Sequence, residues 1–162
     1  MPWGIYIPAD EAAPLEFRLF GQLTDYQEAV GGWIEPIDIE TPPATIYVNE
    51  EGKLQDLPQN RRATLLLWVN HRATHGREVL VGNVVLIGLP DDEEGETQDV
   101  PDELVTLILK SDLYKYEVET HEEAGKWYGN QARFDNYFEA CNAALGLYER
   151  WTLAANVRVL AA

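Results

Sequence analysis

Cysteine is nearly absent from this sequence, since Cys141 is the only one among 162 residues. A single cysteine cannot form a disulfide bond within the chain, so packing and hydrogen bonds must stabilise the fold. Cys141 also lies on the apolar stripe of a predicted C-terminal helix, where cysteine usually serves as a small hydrophobic side chain. We therefore expect a buried and unreactive thiol.

Long apolar runs are absent as well. No window approaches the about 20 consecutive apolar residues that a membrane span requires. The first residues, MPWGIYIPADEAAP, contain neither the basic segment nor the apolar segment of a secretion signal. We expect a soluble protein that stays in the cytoplasm and does not contact membranes.

The sequence also lacks the recognised signatures of catalysis and nucleotide binding. It has no GxGxxG or GxxxxGK[ST] phosphate-binding loop and no GxSxG nucleophile motif. We therefore expect no cofactor and assign no catalytic residue.

Two groups of residues have metal-ligand chemistry but not the spacing of a known site. His71 and His75 are four residues apart, but Gly76 indicates a loop, and a third ligand such as Glu78 or His121 would have to be recruited. The acidic run 91–96 lacks the alternating acids of a calcium loop. We expect solvated loops and no metal in both cases.

Positive charge is scarce: 12 Lys and Arg residues stand against 28 Asp and Glu residues, and the net charge is −16. Such a charge repels nucleic-acid phosphates and attracts basic partners, so we expect no direct binding to nucleic acid. The same composition also serves solubility or adaptation to an acidic host proteome. Both interpretations stay open at this stage.

The apolar periodicity predicts an α+β fold: a mostly antiparallel sheet of about five strands, helices packed on one face, and a C-terminal amphipathic helix. Within it, Pro36 predicts an edge strand, and the nearly continuous apolar run 78–89 predicts a central one. Gly82 inside that run indicates a bulge or a close backbone approach. The predicted strands are 3–7, 15–20, 32–39, 44–48, 53–57, 78–89, 114–119 and 156–160, and the predicted helices are 22–30, 60–70, 101–110 and 134–151.

The strongest candidate site is a polar cluster near the middle of the chain. Asn49, Glu50 and Lys53 form the tip of a predicted hairpin that Gly52 closes with a positive φ. A short strand leads from that tip to Asn60, a predicted helix cap, and Arg61, which opposes the usual preference for acids at a helix start. If the two groups share one surface, Arg61 or the next arginine can reach Glu50 or its neighbour. Such pairs would either pin the hairpin to the helix or form a binding patch.

Four motifs occur in a fixed order: GGWIE (31–35), YVNEEGKL (47–54), LPQNRRAT (57–64) and LVGNVVLIG (80–88). Together they resemble a small family of domains of unknown function that is common in actinobacterial phages and occurs in plasmids and other mobile elements. The resemblance covers about residues 15–110, which favours a core domain over 1–110 and an extension over 111–162 that packs on it. It implies a phage-encoded protein in the host cytoplasm with no assigned activity. The positions that match the motifs are Asn49, Glu50, Gly52, Asn60, Arg61 and Gly82.

Three functional hypotheses remain from the sequence. The first is a non-enzymatic accessory protein that binds a host protein or a small host ligand and exposes an apolar patch. The second is an acidic mimic of DNA that inhibits a nucleic-acid-binding host enzyme and arrays its carboxylates in a stripe. The third is an enzyme with a deep pocket at the junction of hairpin and helix, acting through Glu50, Lys53 and Arg61. The sequence does not determine the oligomeric state.

The net charge generates a first prediction about salt. Repulsion among surface carboxylates should weaken as the Debye length falls from about 10 Å at about 0.1 M NaCl to about 3 Å at about 1 M. We expect a higher thermal midpoint in the more concentrated solution. Calorimetry in NaCl checks this, since sulfate would also strengthen apolar burial. An unchanged midpoint would mean that the acidity does not destabilise the fold.

Overall fold

The computed structural model of the chain describes residues 1–91, 93 and 95–162. That part of the chain contains four α-helices and eight β-strands, and the strands form two antiparallel sheets. This architecture confirms the predicted α+β class. The strands are β1 (Trp3–Ile7), β2 (Glu16–Leu19), β3 (Ile34–Glu40), β4 (Pro43–Asn49), β5 (Val84–Ile87), β6 (Tyr114–Thr120), β7 (Trp127–Gly129) and β8 (Ala154–Ala161). The helices are α1 (Leu23–Val30), α2 (Arg61–Asn70), α3 (Asp102–Leu109) and α4 (Tyr137–Arg150), and a 3₁₀ turn spans Arg72–Thr74.

The larger sheet has the strand order β2-β1-β5-β4-β3. The central strand β5 is buried along its whole length, as its apolar sequence predicts, but it is shorter than the run 78–89. Gly82 precedes it with a φ of 75°, and a side chain there would place Cβ 2.8 Å from Leu57 Cδ1. Glycine is needed at position 82 for its positive φ and for the space that the Leu57 side chain occupies, and the residue lies before β5 rather than inside the strand. The strand that contains Pro36 lies at the edge of the sheet, where its missing N–H leaves no ladder bond unmade.

Helices cover both faces of this sheet, whereas the sequence suggested one. Successive residues of a strand point to opposite faces, and on β5 Leu86 belongs to the main core while Val85 and Ile87 belong to a smaller one. Helix α1 supplies Tyr26 and Ala29 to the smaller core. Helices α2, α3 and α4 all contribute to the main core. The sheet is therefore the middle layer of the molecule.

A second sheet, with the order β7-β6-β8, consists entirely of residues beyond α3. Helix α4 packs on β6 and β8 with one face and on α2 with another. Its buried side chains Phe138, Cys141 and Leu145 share one hydrophobic cluster with Leu66 of α2 and Val157 of β8. The two sheets are thus joined by a continuous core, while the division into a core domain and an extension stays a prediction.

The segment 53–57 is not the strand that the sequence predicted. After β4 the chain makes consecutive turns, in which Gln55 N–H donates to Glu51 O at 2.9 Å and Leu57 N–H donates to Gly52 O at 3.0 Å. The positive φ lies at Asp56 (51°) rather than at Gly52. Glycine is needed at position 52 for space instead, because a Cβ would lie 2.9 Å from Val81 Cγ2. The hairpin observed here is β3–β4, whose connection contains a cis bond before Pro42.

The shared core generates a prediction about the C-terminal residues. Truncation after Asn130 removes α4 and β8, and each large buried side chain that is lost contributes about 1.5–3 kcal/mol. We expect the truncated chain to lose several kcal/mol of its free energy of unfolding. In the full chain, Phe138→Ala should cost about 3–5 kcal/mol in denaturant unfolding, because it leaves a cavity. Asn142→Ala, at an exposed position of the same helix, is the control. Unchanged stability of the truncated chain would contradict the shared core.

Candidate functional site

Asn49 lies at the end of β4 and is 5% exposed. Its Nδ2 donates to Val30 O at 3.3 Å and to Gln55 Oε1 at 3.4 Å, and its Oδ1 accepts from Glu51 N–H at 2.8 Å. The side chain therefore ties the end of α1 to the turns after β4. It also lines a hollow of about 220 Å³ together with Gly82 and residues of α1. Its contacts are those of a structural residue.

Asn60 is fully buried and holds three segments together. Its Oδ1 accepts from Ala63 N–H at 3.0 Å, which confirms the predicted cap of α2. Its Nδ2 donates to Ile7 O and to Gly82 O, each at 2.9 Å. One amide thus fixes the start of α2 against the end of β1 and the backbone before β5.

Arg61 does not reach Glu50 or Glu51. Its Nη1 pairs with Glu11 Oε1 at 3.0 Å and with Glu139 Oε1 at 3.1 Å, which links α2 to the β1–β2 connection and to the first turn of α4. Partial burial lowers the pKa of Arg61, but the hydrogen bonds that it donates to the carboxylates of Glu139 and Glu11, with their negative charges, outweigh that effect and raise the pKa. The positive charge at this helix start is therefore explained by acids that are distant in sequence.

Arg62 points into the protein, where burial lowers the pKa of its guanidinium. Its Nη2 donates to Pro8 O at 2.7 Å and to Asp10 O at 3.0 Å. It thus fastens the chain after β1 to α2 and presents no surface for a partner.

Glu50 and Lys53 are the exposed members of the predicted cluster. Lys53 Nζ lies 3.4 Å from Glu78 Oε1, and both side chains are largely solvated, so this ion pair contributes less than about 1 kcal/mol. The backbone N–H of Glu50 donates to Trp33 O at 2.8 Å. The polar cluster of the sequence is thus divided between two buried amides, an ion-paired arginine and two exposed charges.

The residues with metal-ligand chemistry are engaged with one another and with the backbone. His71 Nδ1 lies 2.8 Å from Asp38 O, and His75 Nε2 lies 2.8 Å from Glu149 Oε1. Within residues 1–91, 93 and 95–162, no group of three or more His, Cys, Asp or Glu side chains could hold a metal ion. Asp92 and Glu94, in the acidic run 91–96, lie outside the described residues. Cys141 is fully buried as predicted, and burial raises the pKa of its thiol to about 12.

A larger groove lies on another side of the molecule, where the sequence indicated no site. Its volume is about 820 Å³, within the range of about 300–1,000 Å³ that is typical of ligand pockets. The walls come from β8, α3, the end of α2 with the turn after it, and the β3–β4 connection. The lining residues are Glu40–Pro42, Val69, Asn70, Arg72, Ala73, Asp102–Leu104, Thr106, Leu107, Ser111, Trp127 and Asn156–Ala161.

The two arginines of the groove are held by other parts of the chain. Arg158 donates from Nε and Nη2 to Glu117 Oε1, at 2.9 and 2.6 Å, and its guanidinium lies 4.2 Å from the ring centre of Trp127. The guanidinium of Arg72 lies 3.8 Å from the ring centre of Tyr148. Both positive charges are thus partly neutralised or shielded before any ligand arrives.

The acids of the groove are less engaged. Glu40, on the β3–β4 side of the groove, has one weak contact, because its Oε1 lies 3.5 Å from His71 Nε2. Asp102 and Glu103, both exposed in the first turn of α3, form no ion pair with the described residues. The rim of the groove is therefore predominantly negative, above a floor formed mainly by aliphatic side chains.

A separate apolar patch lies on β2, the other edge of the larger sheet. The rings of Trp3 and Phe17 are stacked with their centres 4.8 Å apart, and both are partly exposed. Leu19, opposite Trp3 in the register, extends the patch and is also exposed.

Residues 4–112, about two thirds of the chain, match the family described as "Domain of unknown function (DUF3846)", and the chain belongs to this family. No curated protein and no solved structure matches the chain. The match begins earlier than the four motifs suggested and contains the larger sheet with α1, α2 and α3. The groove is lined both by this domain and by β8, which lies beyond it. No helix of the described residues is long and apolar enough to cross a membrane.

The geometry of Asn60 generates a prediction that separates a structural role from a binding role. Asn60→Ala removes the cap and leaves two buried carbonyl oxygens without donors, so we expect a loss of about 2–4 kcal/mol. Asn60→Asp keeps an acceptor for the helix N–H but sets carboxylate oxygens against Ile7 O and Gly82 O, and it should destabilise as well. Denaturant unfolding measures both variants, and Gln59→Ala at the exposed neighbouring position is the control. Wild-type stability of both variants would contradict this assignment.

Proposed function

We propose that this is a non-catalytic binding protein, encoded by a phage or another mobile element, that acts in the cytoplasm of its host. In this proposal it captures a host protein or a small host ligand in the groove between α3 and β8. The observation that carries the proposal is the groove itself, because it combines the volume of a ligand site with an aliphatic floor and a charged rim. The phage origin rests on the resemblance of the four motifs.

The chemistry of the groove supports binding over catalysis. Among the described residues, the lining includes no histidine, cysteine, lysine or tyrosine, which are the usual bases and nucleophiles besides serine and the acids. Ser111 Oγ donates to Thr106 O at 2.8 Å, so it bonds the end of α3 and not a general base. Such a lining offers contacts and charge, which are sufficient for recognition.

The residues that the sequence proposed remain a second surface to be tested. Of these, Glu50, Lys53 and Arg61 carry solvated charge, whereas Asn49 and Asn60 are buried and hydrogen-bonded within the fold. Arg61 is separated from the other two by its ion pairs with Glu11 and Glu139. A partner that docks at this surface would therefore meet few groups that point in one direction.

Thr106→Arg tests the groove. Thr106 is exposed on α3 and lines the groove, so a long charged side chain there should obstruct it without disturbing the core. We expect this variant to lose the species that the wild-type protein captures from an actinobacterial lysate, as measured by mass spectrometry of the eluate and native mass spectrometry of bound small molecules. The matched control is Thr24→Arg, which places the same side chain at an exposed position of α1.

A third variant, Glu50→Ala combined with Arg61→Ala, addresses the other surface. Both side chains are exposed enough for the fold to remain intact, which circular dichroism would verify. Capture that survives Thr106→Arg but is lost in this double variant would move the site to the end of β4. Capture that survives all three variants would contradict both sites.

A further inference from the structure

We infer that the groove takes an extended, basic peptide segment of a partner protein, which adds as a new strand to the free edge of β8. This inference rests on the proposed function of the groove and specifies the partner. Strand β8 is an edge strand, because it pairs with β6 and with no other strand of the described residues. Unpaired edges are templates for a further strand, and peptide-binding proteins use them in this way.

The register of the second sheet identifies the free backbone groups. Tyr114 of β6 exchanges two backbone hydrogen bonds with Phe134, at 2.7 and 2.9 Å, on the side of β6 away from β8. The backbone N–H and C=O groups of successive residues point alternately to the two sides of a strand. Glu117, three residues after Tyr114, therefore directs these groups towards β8, where its partner is Arg158. On β8, the two neighbours of Arg158 are Val157 and Val159. Their N–H and C=O groups must therefore point outward, away from β6.

The end of β8 follows the same alternation. Ala162 N–H donates to Leu113 O at 2.8 Å, towards β6, so the groups of Ala161 point outward like those of Val157 and Val159. None of these three residues donates or accepts a backbone hydrogen bond on its outward side within the part of the chain that the structure describes. Val157 and Val159 belong to the main core and also line the groove, so this part of the edge is fixed in position beside it.

The groove has the shape for such a strand. Six consecutive residues of β8, Asn156–Ala161, line it, and at about 3.3 Å per residue they match a peptide of about six residues. The added strand would lie about 4.8 Å from β8, with α3 as the opposite wall. Alternate side chains would then meet Leu104 and Leu107 of α3 and Leu160 of β8, which favours apolar residues at every second position.

The charge of the groove selects a basic partner. Asp102 and Glu103 stand at the rim without an ion pair among the described residues. The two arginines of the groove are engaged within the protein instead, Arg158 in its ion pair with Glu117 and Arg72 in its contact with the ring of Tyr148. Lysine or arginine between the apolar positions of the peptide would lie close to both acids. The whole chain, at −16, attracts such a segment over a distance. A second copy of this chain would instead bring two acidic rims together, so it is disfavoured as the occupant.

The test begins with a library of random octapeptides selected against the full-length protein. We expect the selected sequences to alternate between basic and apolar residues. In complex with the strongest of them, the backbone amides of Val157, Val159 and Ala161 should exchange hydrogen more slowly with solvent. The peptide is also N-methylated either at its odd-numbered or at its even-numbered nitrogens. Only one of these two sets should matter, because an added strand donates hydrogen bonds to β8 from every second residue. One set should weaken binding at least about tenfold, while the other should change it by less than about twofold.

Variants of the protein test the selection by charge. Asp102→Asn combined with Glu103→Gln should lower the affinity for the basic peptide by roughly three- to tenfold at low salt. Glu35→Gln combined with Asp56→Asn makes the same change in charge at two exposed positions that do not line the groove, and it should leave the affinity within about twofold, since screened distant charges contribute little. Selection of acidic or neutral peptides, equal effects of the two N-methylated sets, or equal effects of the two double variants would overturn the inference.

Two further outcomes separate this inference from the proposed function. If Thr106→Arg abolishes capture but no basic peptide is selected, the groove binds something else and only the present inference fails. The contrasting result is that the protein dimerises, with the dimer strengthened by Asp102→Asn and Glu103→Gln and with the amides of Val157 and Val159 protected from hydrogen exchange. That result would show that a second copy occupies the edge, and it would overturn the inference in favour of self-association.

Discussion

A single buried amide, that of Asn60, fixes the start of α2, and much of the main core packs on this helix. Asn60 uses three of the hydrogen bonds that its side chain can make, to Ala63, Ile7 and Gly82, all shielded from water. These bonds join the start of the helix to the end of β1 and to the backbone just before β5. The other end of α2 contributes Val69 and Asn70 to the groove, and its side packs on α4. The amide therefore sets the geometry of a surface at the opposite end of the helix.

The features that depend on local chemistry could be predicted from the sequence. A capping asparagine, a proline that cannot pair, and an apolar stripe at helical spacing each act within a few residues, and Asn60, Pro36 and α4 behave as predicted. The prediction of a strand over 53–57 was wrong because Gly52, the residue before it, was interpreted as the turn of a hairpin. Position 52 requires glycine because the side chain of Val81, distant in sequence, lies against it. A contact of this kind leaves no pattern in the neighbouring sequence.

The groove could not be predicted for the same reason. The alternation of 156–160 does indicate a strand, but whether that strand has one neighbour or two depends on the order of strands in the sheet. The opposite wall, α3, comes from another part of the chain. The partners of Arg61 show the same limit: its position against the helix dipole signalled a specific pairing, yet Glu11 and Glu139 meet it only in the folded chain.

The acidity of the chain acquires a specific role at the edge of β8. An edge strand with free backbone groups invites pairing with other copies, and proteins commonly oppose this with charge or by covering the edge. Here α3 and the end of α2 line the groove together with β8, and the rim carries Asp102 and Glu103. Because every copy carries the same negative charge, the repulsion that keeps copies apart is also an attraction for a basic segment. One charge distribution can thus protect the edge from self-association and select the partner that is admitted.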